Sequence, residues 1–183
     1  MKGNSPEALS FPHFPTRWQA VIWRNWGLIP RERLAQMLET SEENIRKAAG
    51  DLGLPDIEVS HNWLEKGYLT IIRNNWHLLN YEQLLKLLGW TADKMDYILR
   101  EEDFLWHKLG NHKPSVTKTV FSELSEDESV RTKAIKKTAS EFFNLFPETE
   151  KPFDFIRKYN SNKNRKKPES RFDLNFIYSF HAL

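Results

Sequence analysis

The sequence predicts an all-α fold made of two tandem three-helix units and a later amphipathic helix, with a β-strand at its far end. Three observations predict it. The phrase WRNWGLI, residues 23–29, returns fifty positions later as RNNWHLL, residues 73–79, and residues 17–49 lie over 67–99 without a gap. Ile22/Ile72, Asn25/Asn75, Trp26/Trp76, Leu28/Leu78, Glu32/Glu82, Leu34/Leu84 and Leu38/Leu88 are identical in that overlay. Apolar residues recur there at helical spacing between residues that cap helices, and such a period marks two copies of one supersecondary unit. Period-two alternation, Phe172, Leu174, Phe176, Tyr178 and Phe180 against Asp173, Asn175, Ile177, Ser179 and His181, appears after residue 171.

In the first copy, Trp18, Val21, Ile22 and Trp26 form the inner face of a helix that Gly27 stops. Pro30 suits the first turn of a second helix, PRERLAQML, where its missing N–H has no intrahelical partner. Ser41 caps a third, EENIRKAAG, by accepting from orphan N–H groups, and Glu42 and Glu43 favour the positive end of its dipole. Thr40 is an alternative cap. The second copy favours Ser41, because Thr91 stands opposite it while Trp90, opposite Thr40, cannot cap. Asn80 starts the second copy's middle helix, and Gln83 completes a capping-box-like pair with it.

The pattern changes after residue 113. Ser125 and Glu128 form a capping box for a helix whose inner face is expected to hold Val130, Ala134, Ile135, Ala139, Phe142, Phe143 and Phe146, ended by Pro147. A basic stretch, Arg157 to Arg171, reads as a solvated linker, and RFDLNFIYSFHAL after it reads as an apolar strand. A lone strand lacks an evident partner, so the natural polypeptide is expected to continue past Leu183. The expected division is 1–60 for the first repeat, 61–113 for the second, 114–159 for a supporting helical segment, and 160–183 for linker and strand.

Composition narrows the function classes. The 183 residues are 39% apolar with seven Trp and twelve Phe, enough to fill a core. Zero cysteines exclude disulfides, thiolate metal sites and cysteine nucleophiles. There is no signal-peptide pattern and no run of about 18 apolar residues, so a soluble, cytoplasmic chain with no membrane partner is expected. The net charge of +2 divides unevenly. Residues 1–110 hold 13 Lys and Arg against 15 Asp and Glu, a balance of −2, and residues 111–183 hold 14 against 10, a balance of +4.

Residues LAQMLETSEENIRKAAGDLGL resemble the helix-turn-helix family: an apolar helix, a tight turn ending in Ser, then a helix with an inward Ile. The resemblance implies a third helix that enters a DNA major groove, and it points to Ser41, Asn44, Arg46 and Lys47 as candidate nucleic-acid-binding residues. The second copy would present Thr91, Ala92, Asp93, Lys94 and Asp96, an acidic or small set. Two repeats with a combined balance of −2 lack the basic footprint that phosphate neutralisation requires. DNA is therefore the alternative partner. Fold does not settle function.

Flat aromatic faces suit sugar rings, so carbohydrate binding by exposed tryptophans is a third reading. Trp26 and Trp76, which recur beside Leu28 and Leu78, are expected in the core instead. Arg24, Asn25, Arg73, Asn75 and His77 form a candidate polar cleft, and the same residues equally suit helix ends or the interface between copies. No catalytic set emerges. His107 and His112 are five apart, off a common helical face, and no H-E-x-x-H occurs. The adjacent carboxylates of REEDF cannot flank a substrate as a separated pair does. No enzyme activity, metal or cofactor is expected within this chain.

Three phrases, RNNWHLLNYEQLLKLLGW, REEDFLWHKLGNHKP and RFDLNFIYSFHAL, resemble the N-terminal region of large uncharacterised bacterial proteins that continue into a glycoside-hydrolase-like barrel. The resemblance implies an accessory helical part whose chemistry lies beyond Leu183, with the rest of its own polypeptide as partner. The expected function is a non-catalytic helical binding or scaffolding module linked to carbohydrate processing.

Overall fold

Helix α1 (Arg17–Asn25) starts at Thr16, whose hydroxyl accepts from the Gln19 N–H at 3.3 Å while Gln19 Oε1 accepts from the Thr16 N–H at 3.2 Å. This reciprocal capping box was not among the expected caps. Pro30 stands one place earlier than expected, as the N-cap itself with φ −56° and ψ 141°, so α2 runs Arg31–Leu38. Ser41 caps α3 (Glu42–Asp51), its hydroxyl accepting from the Asn44 N–H at 3.2 Å.

The second copy repeats the pattern in α4 (Tyr68–Asn75), α5 (Tyr81–Leu88) and α6 (Ala92–Glu101). The bounds of α2 and α5, and of α3 and α6, differ by fifty at both ends. Asn80 Oδ1 accepts from the Gln83 N–H at 2.9 Å, and Thr91 Oγ1 from the Lys94 N–H at 3.3 Å. The capping-box-like pair is only half made, because the Gln83 side chain turns to Thr119 instead of returning to Asn80. A one-turn helix, α7 (Leu105–Lys108), and the long α8 (Glu126–Leu145) complete eight helices among the described residues.

The computed structural model describes residues 5–57, 59 and 65–145, with side chains to Phe142. Within them the fold is all-α, and the one bridge pairs Glu7 with Ser115. No described helix is long and apolar enough to cross a membrane. The chain divides into two compact units, Met1–Phe142 and Phe143–Leu183, and of the second only the backbone end of α8 is described. Trp63, the Phe143 side chain, Phe146, Pro147, the basic linker and the terminal strand lie outside the described residues.

Both repeats feed one core. Ile22, Leu34, Leu38 and Ile45 from the first and Ile72, Leu84, Leu88 and Met95 from the second belong to a single buried cluster, with α1 packed on α4 and α2 on α5. Burying a large aliphatic side chain contributes about 1.5–3 kcal/mol, so the matched positions stabilise both copies together. Trp76 is 1% exposed and Trp26 half-buried. Their indole N–H groups donate to Pro55 O at 2.7 Å from Trp26 and to His112 O at 3.0 Å from Trp76.

A strap without helix or strand, residues 116–125, leads into α8 along the first repeat. Ser125 and Glu128 make the expected capping box at 2.8 and 3.3 Å. The inner face of α8 differs from the expected one. Thr132 and Ala139 are buried and Ile135 partly so, whereas Ala134 is exposed, Val130 is 65% exposed and Phe142 56%. Val130 lies nine residues before Ala139, and at about 100° per residue that is half a turn away. The inner face is instead set by Thr132, whose hydroxyl accepts from Gln19 Nε2 at 2.8 Å and donates to Glu128 O at 2.7 Å. It is set equally by Gly53, where a Cβ would come within 3.0 Å of Lys136 O.

Candidate functional site

The repeated RNW phrase meets its own copy. Asn25 and Asn75 are both 0% exposed at the contact of α1 with α4. Asn25 Nδ2 donates to Asn75 Oδ1 at 2.8 Å, and Asn75 Nδ2 donates to Asn25 Oδ1 at 2.7 Å. Each amide spends its second N–H on the carbonyl four residues earlier in its own helix, Val21 O at 2.7 Å and Ile71 O at 2.8 Å. Every donor of this buried pair is therefore satisfied, as a low-dielectric interior demands.

The exchange continues outward with the same approximate twofold symmetry. Arg24 Nη1 donates to Asn74 O at 3.2 Å, and Asn74 Nδ2 donates to Arg24 O at 3.1 Å. Arg33 Nη1 donates to Leu88 O at 2.9 Å on α5, while Gln83, fifty residues after Arg33, donates to Met37 O at 3.3 Å on α2. Helix C-termini carry unsatisfied carbonyls, so each repeat caps the other's middle helix. Arg33 and Gln83 were not singled out from the sequence, because they differ in type and only their equal place in the repeat connects them.

Of the candidate cleft, then, Asn25 and Asn75 are interior, and exposed Arg24 bonds the second repeat and lies over the Phe11 ring at 4.9 Å. His77 is half-buried, and its Nδ1 accepts from the Leu9 N–H at 3.2 Å. Burial holds its imidazole below the ordinary range, helped by the charges of Lys113, His112 and Arg24. Arg73 stands apart and exposed. With the Lys108 hydrogen bond and charge dominating, its charge helps hold the Asp103 carboxyl below the usual range. Asn25 and Asn75, fully buried, line no open surface beside Arg24, Arg73 and His77.

Lys113 was not anticipated. Its ammonium donates to Trp76 O at 2.6 Å and Leu79 O at 2.7 Å and lies over the Trp76 ring at 5.1 Å. Burial pushes its pKa down to about 8. Trp106 packs edge-on to the same indole, 36% exposed, and Trp23 packs on Phe14.

Among the candidate nucleic-acid-binding residues, Ser41 and Asn44 are engaged in the cap, and Asn44 Nδ2 also donates to Thr40 Oγ1 at 2.9 Å. Arg46 and Lys47 are exposed on α3. On α6 the corresponding surface carries Asp93 and Asp96, and Lys94 lies over the Trp90 ring at 4.5 Å. No group of three or more metal-ligating side chains occurs among the described residues.

These contacts define the class of the protein: among the described residues, an all-α fold with two three-helix repeats joined through a reciprocal polar centre and one shared core. No protein-family model, curated protein or solved structure matches it.

Proposed function

We propose that this chain is a non-catalytic helical binding or scaffolding module of a larger bacterial protein, one linked to carbohydrate processing. What supports the reading is the Asn25 and Asn75 pair. The asparagines that recur in both repeats bond one another, leaving none of their side-chain donors for a substrate. Their work is to lock two repeats into one body, and a rigid body suits positioning or recognition by its outer surface. By the resemblance of its phrases, the chemistry belongs to a barrel domain beyond Leu183. Sequencing the gene downstream tests the reading. A frame that continues into a domain which binds this chain in trans is the expected result, and a stop codon directly after Leu183 overturns it.

DNA binding is the second reading, favoured by the exposed Arg46 and Lys47 on α3. Its test is a salt titration with duplex DNA. Retention at low ionic strength that falls steeply with salt, and falls further in Arg46→Ala, supports it. No retention at low ionic strength removes it.

A further inference from the structure

The first repeat holds an internal ligand. Gln83 pairs with both polar groups of the Thr119 backbone, accepting from its N–H at 2.9 Å and donating to its carbonyl at 2.6 Å. The Phe121 N–H donates to Leu38 O at 2.9 Å, and the Phe121 ring packs on Trp18 with centroids 4.7 Å apart. Lys118 pairs with Glu39, and Asn44 and Ala48 line the same hollow as Phe121. Besides Arg17, which donates to Thr117 O at 3.1 Å, and Leu78, whose carbonyl accepts from the Thr119 hydroxyl at 3.0 Å, six positions receive the strap: Trp18, Leu38, Glu39, Asn44, Ala48 and Gln83.

Their equivalents at the fifty-residue offset are Tyr68, Leu88, Gly89, Lys94, Ile98 and Arg33. All six line one groove of about 340 Å³ in the second repeat, completed by Glu65 and Trp90. No described segment lies across it as the strap does in the first repeat. We propose that this groove binds an extended segment of a partner protein, one that carries an aromatic residue flanked by carboxylates.

The strap supplies the template, and the substitutions between repeats supply the chemistry. Tyr68 stands where Trp18 supports Phe121, and Trp90 adds a second ring at 5.3 Å from it, a two-ring wall for an aromatic side chain. The Leu88 carbonyl has a second lone pair beside its bond from Arg33, and is placed to accept a peptide N–H as Leu38 does. Gln83 can donate and accept, but Arg33 only donates, so the groove selects a carbonyl or carboxylate there. Lys94 replaces neutral Asn44, and Gly89 replaces the carboxylate of Glu39 that holds Lys118. Three changes run toward positive charge. Glu65 where the first repeat has Pro15, Glu102 beside Tyr68 where it has Leu52, and Gly67 where it has Arg17 run in the opposite sense. The groove's own lining, Arg33 and Lys94 against Glu65, keeps one positive charge and favours an acidic partner over the lysine-bearing strap itself.

The inference rests on the binding-module reading and names its ligand class. Its test is a titration of the isotope-labelled full chain with the peptide TETVFSEL, the strap sequence TKTVFSEL with its lysine replaced by glutamate. Saturable amide shifts at Tyr68, Leu88, Gly89, Trp90 and Ile98, with a Kd below about 1 mM, are expected. The peptide TETVASEL should bind about tenfold more weakly or worse, because the aromatic anchor is gone. Lys94→Glu, an exposed change whose fold the same spectrum verifies, should weaken TETVFSEL by about fivefold. Three outcomes overturn the proposal: no saturable shift, shifts at Trp18 and Leu38 that report displacement of the strap, or shifts at the groove that grow with protein concentration without peptide, which report a second copy. None of these bears on a downstream domain binding the chain in trans, so failure here is distinguishable from failure of the broader reading.

Discussion

Asn25 and Asn75 hold each other's side-chain amides at 2.7 and 2.8 Å in a fully buried contact between α1 and α4. Truncating one of them leaves the other's oxygen and one N–H buried without partners, which costs about 1–3 kcal/mol per unsatisfied group. Asn25→Leu and Asn75→Leu should each destabilise strongly. The double variant removes both polar partners at once and should be less destabilised than the sum of the two by about 1 kcal/mol or more. Urea unfolding of the four proteins measures the coupling, and additive losses would show that the amides do not depend on each other.

Gly53 makes a second contact that admits no side chain. Its φ is +81°, and a Cβ there would lie 3.0 Å from Lys136 O and 3.2 Å from the Ala139 Cβ. Gly53→Ala therefore combines a left-handed backbone cost of about 1–2 kcal/mol with overpacking of about 1–3 kcal/mol. The neighbour is backbone and cannot swing away, so α8 has to shift. Amide exchange in Thr132 to Ala139 should accelerate more than exchange in α4. Equal acceleration throughout would mean that Gly53 does not act through α8.

How far such contacts were legible depends on their reach along the chain. Ser41, Thr91 and Ser125 act on N–H groups three residues away, and their caps follow from local spacing. The inward turn of Trp76 followed from its recurrence beside a matching Leu. Gln83 was misread as a box partner because its true partner, Thr119, lies thirty-six residues further on and no local pattern announces it. The buried face of α8 was misread for a related reason. Val130 is the more hydrophobic residue, but Thr132 has a hydroxyl partner in Gln19, and tertiary pairing outweighed apolar count. For the candidate sites, residue type identified polar groups but not where they point. Asn25 and Asn75 are interior, and the groove around Tyr68 and Trp90 shows only when the first repeat's strap is laid over the second.

The two middle helices end alike on unlike residues. Glu39 at the end of α2 has φ 58°, and Gly89 at the end of α5 has φ 66°. Left-handed backbone strains any residue with a Cβ, and Glu39 bears that strain with only an exposed ion pair to Lys118 in return. Glu39→Gly should stabilise the protein. Gly89→Ala should destabilise it by about 1–2 kcal/mol for the backbone alone, more because a Cβ would sit 3.0 Å from Arg33 Nη1. Thermal unfolding of both variants decides the matter, and changes of the same sign would contradict it.

His77 links acidity to the N-terminal segment. Its Nδ1 can accept from the Leu9 N–H only while unprotonated, and burial with the Lys113, His112 and Arg24 charges keeps its folded pKa below the unfolded value near 6.5. As pH falls from about 6.5 toward the folded value, the unfolded chain binds more protons than the folded one, so stability falls. Leu9 exchange should quicken across that interval. His77→Asn keeps an acceptor and should flatten the pH dependence, whereas His77→Ala should give fast exchange at every pH. Leu9 exchange unaltered by either variant would remove His77 from the account.

Lys113 gives a slope of the same sign at the alkaline end. Burial lowers its folded pKa to about 8 against an unfolded value near 10.4, so between those values the unfolded chain holds the extra proton and stability from this group rises with pH. Tyr68 and Tyr81, both raised by burial, work the other way above about pH 10, because folding favours their neutral forms. The window to measure is therefore pH 8 to 10. Urea midpoints should climb across it in the unmodified chain and climb less in Lys113→Met, and the Lys113 Cε resonance should titrate near 8. A resonance that titrates near 10.4 would mean that the Trp76 and Leu79 carbonyls hold the ammonium charged against its burial.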